Sequence, residues 1–247
     1  MATFKDKGIV LREAAYNESD KHVTLLLKER GKLTVSARGA RKPQSKLSAA
    51  TQTFAYGEFV IYDGGGFYTL AQAEALEGFY AVRETLEGYC YAAYFMELTD
   101  RFLLREMDAR EPLRLILRGL QALARGVPKA GLTAAVFTYK FLQTEGYSPV
   151  TEACAACGEA LQGGRLFFTG EGLCCPSCLR TLDANGAKAL RIGAPTLHAI
   201  QTILQNDADG LFRMNATSDL QRELEQTAKL FREANVEHGF KSLEMLE

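Results

Sequence analysis

The chain has no run approaching the roughly 18 consecutive apolar residues of a membrane-crossing helix. Its first residues, Met1-Ala-Thr-Phe-Lys-Asp-Lys-Gly8, put charges where a secretory leader needs an apolar stretch. A cytoplasmic protein with no membrane partner is therefore expected. Histidine is scarce, at 3 of 247 residues, and none of His22, His198 or His238 has a glutamate two positions on. That removes the His-x-Glu signature of the zinc-dependent nucleobase deaminases. There is no Gly-x-x-x-x-Gly-Lys-[Ser/Thr] phosphate loop, so nucleotide hydrolysis of that type is not expected. Internal repeats, low-complexity tracts and coiled-coil heptads are absent as well, which excludes solenoids and long coiled coils.

What remains is a globular chain, 47% hydrophobic and long enough for two or three small domains. The net charge of -1 is uninformative, but its distribution is not. Residues 1–80 carry 11 Lys and Arg against 9 Asp and Glu, whereas residues 81–247 carry 18 against 21. Between Lys28 and Lys46 seven cations, Lys28, Arg30, Lys32, Arg38, Arg41, Lys42 and Lys46, face only Glu29.

The first 75 residues alternate β-branched and aromatic stretches with turn signals. Strands are predicted near Lys7 to Arg12, His22 to Lys28, Leu33 to Arg38, Phe54 to Tyr62 and Phe67 to Ala73, with turns at Glu29-Arg30-Gly31-Lys32 and Asp63-Gly64-Gly65-Gly66. Five strands in so short a span fit a small closed barrel, with an OB-fold the leading candidate. From about Leu76 the apolar period becomes helical, carried by Leu86, Tyr89, Cys90, Ala93, Phe95, Met96, Leu98, Thr99, Phe102 and Leu103. Pro112 opens a second helix that runs to about Arg125 and is closed by Gly126-Val127-Pro128; a third spans Leu132 to Glu145, stopped by Gly146. Helices are also predicted over Ala184 to Leu190, Thr196 to Gln205 and Asp219 to about Glu237, the last capped by Ser218 with Gln221 completing a capping box.

Cys154-Ala-Ala-Cys157 and Cys175-Pro-Ser-Cys178, separated by 17 residues, have the spacing of a four-cysteine zinc site. In a reducing compartment six cysteines are not expected to form disulfides. Each Cys-x-x-Cys can form a knuckle that aims two thiolates at one tetrahedral ion, at about 2.3 Å per sulfur. The glycines at 158, 163, 164 and 170 around Arg165-Leu-Phe-Phe168 predict a small hairpin between the knuckles, hence a zinc ribbon. Cys174 competes with Cys175, but Cys175 leaves the two-residue spacing to Cys178 that a knuckle needs. A redox pair would open a helix after a strand in a βαβ context, which is missing around Cys154. Four thiolates close the metal shell, so the zinc is expected to be structural, contributing on the order of 10 kcal/mol to folding. Cys90 falls on an apolar helix face and reads as core.

The basic run Lys32 to Lys46 leaves a strand for a loop rich in small residues, suited to phosphate contacts. OB-folds bind single strands by combining such a cationic track with aromatics on which bases stack. Phe54, Tyr56, Phe59, Tyr62, Phe67 and Tyr68 are the nearby aromatics, of which period 2 sends about half into the core.

The order of motifs resembles the bacterial RecO family. It is carried by Gly8-Ile-Val-Leu11 with Glu18-Ser-Asp20, Ala37-Arg38-Gly39-Ala40-Arg41, Tyr91-Ala-Ala-Tyr94-Phe-Met-Glu97-Leu98, Phe141 to Pro149 leading into Cys154-Ala-Ala-Cys157-Gly158, and Lys241-Ser-Leu-Glu244. Singly most are weak; in order they span nearly the whole chain. The resemblance implies an α+β protein: an N-terminal five-stranded OB-fold barrel over 1–78, a helical domain over 79–150 and 182–247, and a four-cysteine zinc ribbon-like insertion over 151–181.

It further implies a DNA-binding, nucleoid-associated recombination mediator that is not an enzyme. Such a protein binds single- and double-stranded DNA, anneals complementary strands coated by single-strand-binding protein, and with RecR helps RecA load. The contact with the C-terminal tail of single-strand-binding protein falls in the helical domain, where Arg101, Arg105, Arg114 and Arg118 are candidate neighbours. One zinc is implied, on Cys154, Cys157, Cys175 and Cys178. Rival readings are an RNA-binding OB-fold protein, a zinc hydrolase, and a regulator reading DNA through its zinc ribbon. The last is weakened because Cys154 to Cys178 holds only Arg165 against Glu159 and Glu171.

Overall fold

The structure is a computed structural model and describes residues 2–105, 107–126, 130–161, 166–184 and 188–246. The chain divides into two compact units, residues 1–127 with 240–247, and residues 128–239.

The first unit is built on a closed barrel of β1 (Ala2–Ala15), β2 (Lys21–Leu27), β3 (Gly31–Ala37), β4 (Tyr56–Asp63) and β5 (Tyr68–Glu77), ordered β1-β2-β3-β5-β4 and back to β1. β1 serves two neighbours: Ala2 to Ile9 pair with β4, and Gly8 to Ala15 pair with β2, with a register shift between Val10 and Arg12. Closure is made by the parallel bridge of Ser36 on β3 with Thr69 on β5; every other pairing in the barrel is antiparallel. This strand order is that of the OB-fold, as expected from the sequence. β3 shows the period-2 signature, with Leu33, Val35 and Ala37 buried and the residues between them half-exposed. These join Val10, Val23, Leu25, Phe59, Ile61 and Leu70 in the barrel interior.

β2 breaks that alternation, being buried continuously from Val23 to Leu27. Leu26 pairs with Lys32 on the outer face, and the Lys32 ammonium reaches Asp100 on helix α1 (Leu86–Phe102), with 3.2 Å to its carboxylate. Arg12 of β1 holds the other oxygen of Asp100 at 3.1 Å. The outer face of β1–β3 is thus committed to the helical layer rather than to solvent. α1 begins where Thr85 accepts a hydrogen bond from the Gly88 amide at 3.1 Å, an N-cap. Helices α2 (Arg110–Ala124) and α8 (Lys241–Glu244) complete this unit. Phe240, just before α8, packs edge-on against Tyr94 of α1 at 4.9 Å.

The second unit holds α3 (Ala130–Thr144), β6 (Leu166–Thr169), β7 (Gly172–Cys174), α4 (Pro176–Ala184), β8 (Leu190–Ile192), α5 (Ala194–Gln205), α6 (Ala208–Leu211) and α7 (Ser218–Asn235). α3 is buried nearly all round, and its Tyr139 stacks on Phe231 of α7 at 5.3 Å. Two local expectations need correction. Leu190 opens a strand rather than closing a helix, because Leu190 to Ile192 pair with Phe168 to Leu166 in a sheet ordered β7-β6-β8; that pairing outweighs helical propensity. Of the rest of that predicted helix, Ala184 is the end of α4, Lys188 and Ala189 are in no helix, and 185–187 lie outside the described residues, as do Val127-Pro128 and the predicted hairpin positions Gly163, Gly164 and Arg165. The cap of α7 is Thr217, whose hydroxyl accepts from the Leu220 amide at 3.4 Å, one residue earlier than Ser218.

Gly31 concentrates the constraint between barrel and helices. Its φ is +65°, and an added Cβ would lie 2.8 Å from the Leu104 carbonyl oxygen and 2.9 Å from the Met107 side chain. Gly31→Ala should therefore destabilise the protein by roughly 1–3 kcal/mol in urea unfolding, more than alanine at Gly65, whose Cβ would meet nothing.

Candidate metal centre and nucleic-acid interface

The Sγ atoms of Cys154, Cys157, Cys175 and Cys178 lie within 4.8 Å of one another, and those of Cys157 and Cys175 are 3.9 Å apart. A tetrahedron with metal–sulfur bonds of about 2.3 Å has edges of roughly 3.8 Å, so the donor set fits one tetrahedral ion. Each knuckle is shaped by its backbone. In the first, the Gly158 amide donates to the Cys154 carbonyl at 2.8 Å, with Gly158 at φ +76°. In the second, the Cys178 amide donates to Cys175 Sγ at 3.4 Å, while the Cys175 amide donates to Cys154 Sγ at 3.3 Å. Burial opposes ionisation of Cys154, but amides of Cys175, Cys157 and Ala156 outweigh it and hold the thiol at about 6. Cys174 stands apart: burial first, then the neighbouring Cys154 charge, pushes its thiol to about 11. Its Sγ turns to the Cys175 carbonyl at 3.4 Å, and it is not a member of the cluster.

The seven basic residues separate into two groups at the ends of β3. Lys28 and Arg30 are exposed at the β2–β3 turn, and the Arg30 guanidinium lies 4.1 Å over the Phe4 ring. Lys32 is half-buried in its pair with Asp100. Arg38, Arg41, Lys42 and Lys46 are exposed beyond the other end, roughly 25 Å away at strand rise. That second group is fixed to the β1–β2 loop. The Gly39 amide donates to Asp20 at 2.7 Å, the Arg41 amide donates to the Ser19 carbonyl at 3.0 Å, and the Arg41 guanidinium donates to the Asn17 carbonyl. The bond from Gly39, followed by the Asn17 amide, holds the Asp20 carboxyl below its usual range.

Within β4 the aromatics alternate as period 2 requires, with Phe59 in and Tyr56 and Tyr62 out, but Phe54 lies before the strand expected to begin with it, at φ +74°, and is buried on its own account. Phe54 and Phe59 are buried, Tyr56 and Tyr68 are half-buried, and Tyr62 and Phe67 are exposed, Phe67 by 84% in the β4–β5 loop. A further aromatic was not on the sequence's candidate set: Tyr16, 67% exposed at the start of the β1–β2 loop, edge-on to His22 at 4.4 Å. Its adjacency to Asn17 to Asp20, polar turn formers, is the signal that marks it as a loop residue rather than core. The four candidate arginines of the helical region do not share one environment. Arg101 covers Phe240 at 4.1 Å, Arg114 pairs with Glu111 at 3.6 Å, Arg118 meets Gln121 at 3.3 Å, and Arg105 bridges to Gly31.

An OB barrel with cationic and aromatic loops, joined to helices and a four-cysteine cluster, belongs to the class of OB-fold proteins, whose known ligands include oligonucleotides and oligosaccharides. Comparison with known proteins narrows the class. Residues 1–79 match the family described as Recombination protein O N terminal, and residues 83–244 match Recombination protein O C terminal. A DNA repair protein RecO of Acetivibrio thermocellus is 30% identical over 248 residues, covering 100% of this chain and 97% of the relative. One from Symbiobacterium thermophilum is 32% identical over 251 residues, covering 100% and 98%, and one from Bacillus pumilus 38% over 176 residues, covering 70% and 68%. The chain belongs to the RecO family, which supports a role in DNA repair and recombination.

The cluster gives a direct test. If the cluster holds a metal ion, its removal with a chelator should make Cys154, Cys157, Cys175 and Cys178 reactive to a thiol reagent, while Cys90 and Cys174, which are outside the cluster, should react only on unfolding. Prompt reaction of all six cysteines in the metal-loaded protein would contradict the assignment.

Proposed function

We propose that this chain is a recombination mediator that binds single- and double-stranded DNA, anneals complementary strands coated by single-strand-binding protein, and acts with RecR to load RecA. The observation that carries the reading is the loop platform at the far end of β3. There Arg38, Arg41 and Lys42 are exposed on a segment bonded to the loop that presents Tyr16. Cations for phosphates beside an aromatic for a base are what sequence-tolerant strand binding needs. Lys28 and Lys46 extend the cationic surface, and Lys32 acts through Asp100 to hold the fold. The chemistry is binding and positioning; no catalytic step is assigned to any residue.

In this reading the cysteine cluster holds one Zn²⁺ as a scaffold. Four thiolates complete the ion's shell and leave no position for water. Cys157→Ser or Cys178→Ser should lower zinc content and thermal stability, with DNA affinity retained in any variant that stays folded.

Annealing of DNA strands coated by single-strand-binding protein, measured without ATP, tests the function; failure by folded, metal-loaded protein would sink it. The interface has its own measurement. If about five cations meet phosphates, binding of a single strand should fall with salt at a slope near -3.5, so a fourfold rise in salt weakens it about a hundredfold. Replacing Arg38, Arg41 and Lys42 together by alanine should flatten the slope by about 2, and an unchanged slope refutes the platform.

A further inference from the structure

A cavity of about 240 Å³ opens beside the β2–β3 turn, lined by Phe4, Glu29, Arg30, Leu33, Tyr68 and Arg105. Its make-up is unusual for a fold-stabilising crevice. Two guanidinium groups border it, and among the described residues neither forms an ion pair. The Arg30 guanidinium carbon lies over the Phe4 ring, 4.1 Å from its centroid, and the Tyr68 ring meets Phe4 edge-on at 6.5 Å. The one carboxylate on the rim, Glu29, is directed to Arg110 at 3.8 Å. The turn that carries Arg30 is anchored: the Glu29 amide donates to Asp6 at 3.1 Å, and the Lys7 amide donates to the same carboxylate at 2.8 Å. On the other side Arg105 is set by its backbone bridge to Gly31.

We propose that this cavity takes one unstacked nucleobase of a bound single strand, the base lying against the Arg30–Phe4 stack and Tyr68, and the adjoining phosphate meeting Arg105. The inference rests on the DNA-binding reading above and adds to it the means by which the protein tells an unpaired strand from a duplex. The volume is below the roughly 300 Å³ at which drug-sized pockets begin, so it suits one ring system rather than a stacked pair. A planar guanidinium backed by an aromatic ring presents a flat, cationic face to a base, which a lysine ammonium cannot. A base held in a duplex stack cannot enter without unpairing, at a cost of a few kcal/mol, so only an unpaired strand fills the pocket freely. β3 separates Arg30 from Arg38 by roughly 25 Å, or about seven phosphates at the duplex spacing along one strand, so a single oligonucleotide can reach both the loop platform and the pocket.

The test uses the full chain with a single strand of about twelve nucleotides, within the site sizes of OB-folds, and with a duplex of the same length. 2-Aminopurine placed along the strand reports stacking. Arg30→Ala with Arg105→Ala should weaken single-strand binding about tenfold, abolish the fluorescence change at one position, and leave duplex affinity within about twofold. Arg30→Lys should fail to restore the fluorescence change although it restores the charge. Replacement of Arg38, Arg41 and Lys42 should weaken both polymers. Equal losses for strand and duplex in the Arg30/Arg105 variant, no loss for either, or full rescue by lysine would overturn the pocket while leaving the loop platform standing. Wild-type protein that binds neither polymer would overturn both readings.

Discussion

One strand with two partners governs the N-terminal unit. β1 pairs with β4 along its first half and with β2 along its second, and the two pairings overlap at Gly8 and Ile9. For both to hold, the backbones must approach closely at the overlap. A Cβ on Gly8 would lie 2.3 Å from the Leu26 carbonyl oxygen, a distance that no side chain tolerates. The register shift between Val10 and Arg12 then adds the local bend that turns β1 round the barrel. Only with β1 curved in this way can β3 and β5 meet at Ser36 and Thr69 and close the sheet without an edge. Closure also sets where the loops emerge, so the β1–β2 loop comes to lie beside the segment that follows β3 and can bond to it.

A second consequence follows from the continuous burial of β2. OB-folds present the outer face of β2–β3 to ligands, yet here Leu26 is buried on that face and Lys32 is engaged by Asp100. Asp100 takes both Arg12 and Lys32, two cations that would otherwise be candidates for phosphate. The pairs are partly exposed and each contributes only about 1 kcal/mol or less, but they fix the direction in which helix and barrel meet. The groups proposed to bind DNA accordingly lie at the rim rather than on the strands: the loop with Tyr16 and Arg41 at one end of β3, and Arg30 at the other. Both rims are tied by their own backbone to a neighbouring carboxylate, Asp20 at one and Asp6 at the other.

What could be read from the sequence was whatever is decided locally. Leu33, Val35 and Ala37 alternate because a strand has two faces, and the Cys-x-x-Cys knuckles are each closed by bonds within a few residues. Features set by distant partners were less legible. β1 begins at Ala2 because Ala2 to Asp6 find partners in Asp63 to Phe59, which no local pattern announces. β8 is a strand only because β6 offers it an edge. Tyr16 reads as part of a turn, and nothing near it in sequence reveals that Arg41 will sit against the same loop. The basic run misleads in a different manner. Seven cations close in sequence are not close in space when an extended strand lies among them, since each strand residue adds about 3.3 Å. A charge cluster keeps its compactness only in a turn or helix, and β3 is neither.

The cysteine cluster has an electrostatic demand of its own. Four thiolates around a divalent cation carry a net charge of about -2, which must be stabilised if the site is to be partly buried. The protein supplies that from its own backbone. Amides of Cys175 and Cys178 donate to sulfur, and Pro176 opens α4 immediately after Cys175, placing the positive end of a helix at the cluster. Donors spent on sulfur in this way are not available for a substrate, and a filled tetrahedron has no site for one. The same arrangement makes the surrounding surface a poor match for a polyanion, with Glu159 and Glu171 close in sequence to the thiolates. The exposed cations Lys28, Arg30, Arg38, Arg41, Lys42 and Lys46 belong instead to the barrel unit, so the proposed division of work sets a structural metal in one unit and strand-binding rims on the other.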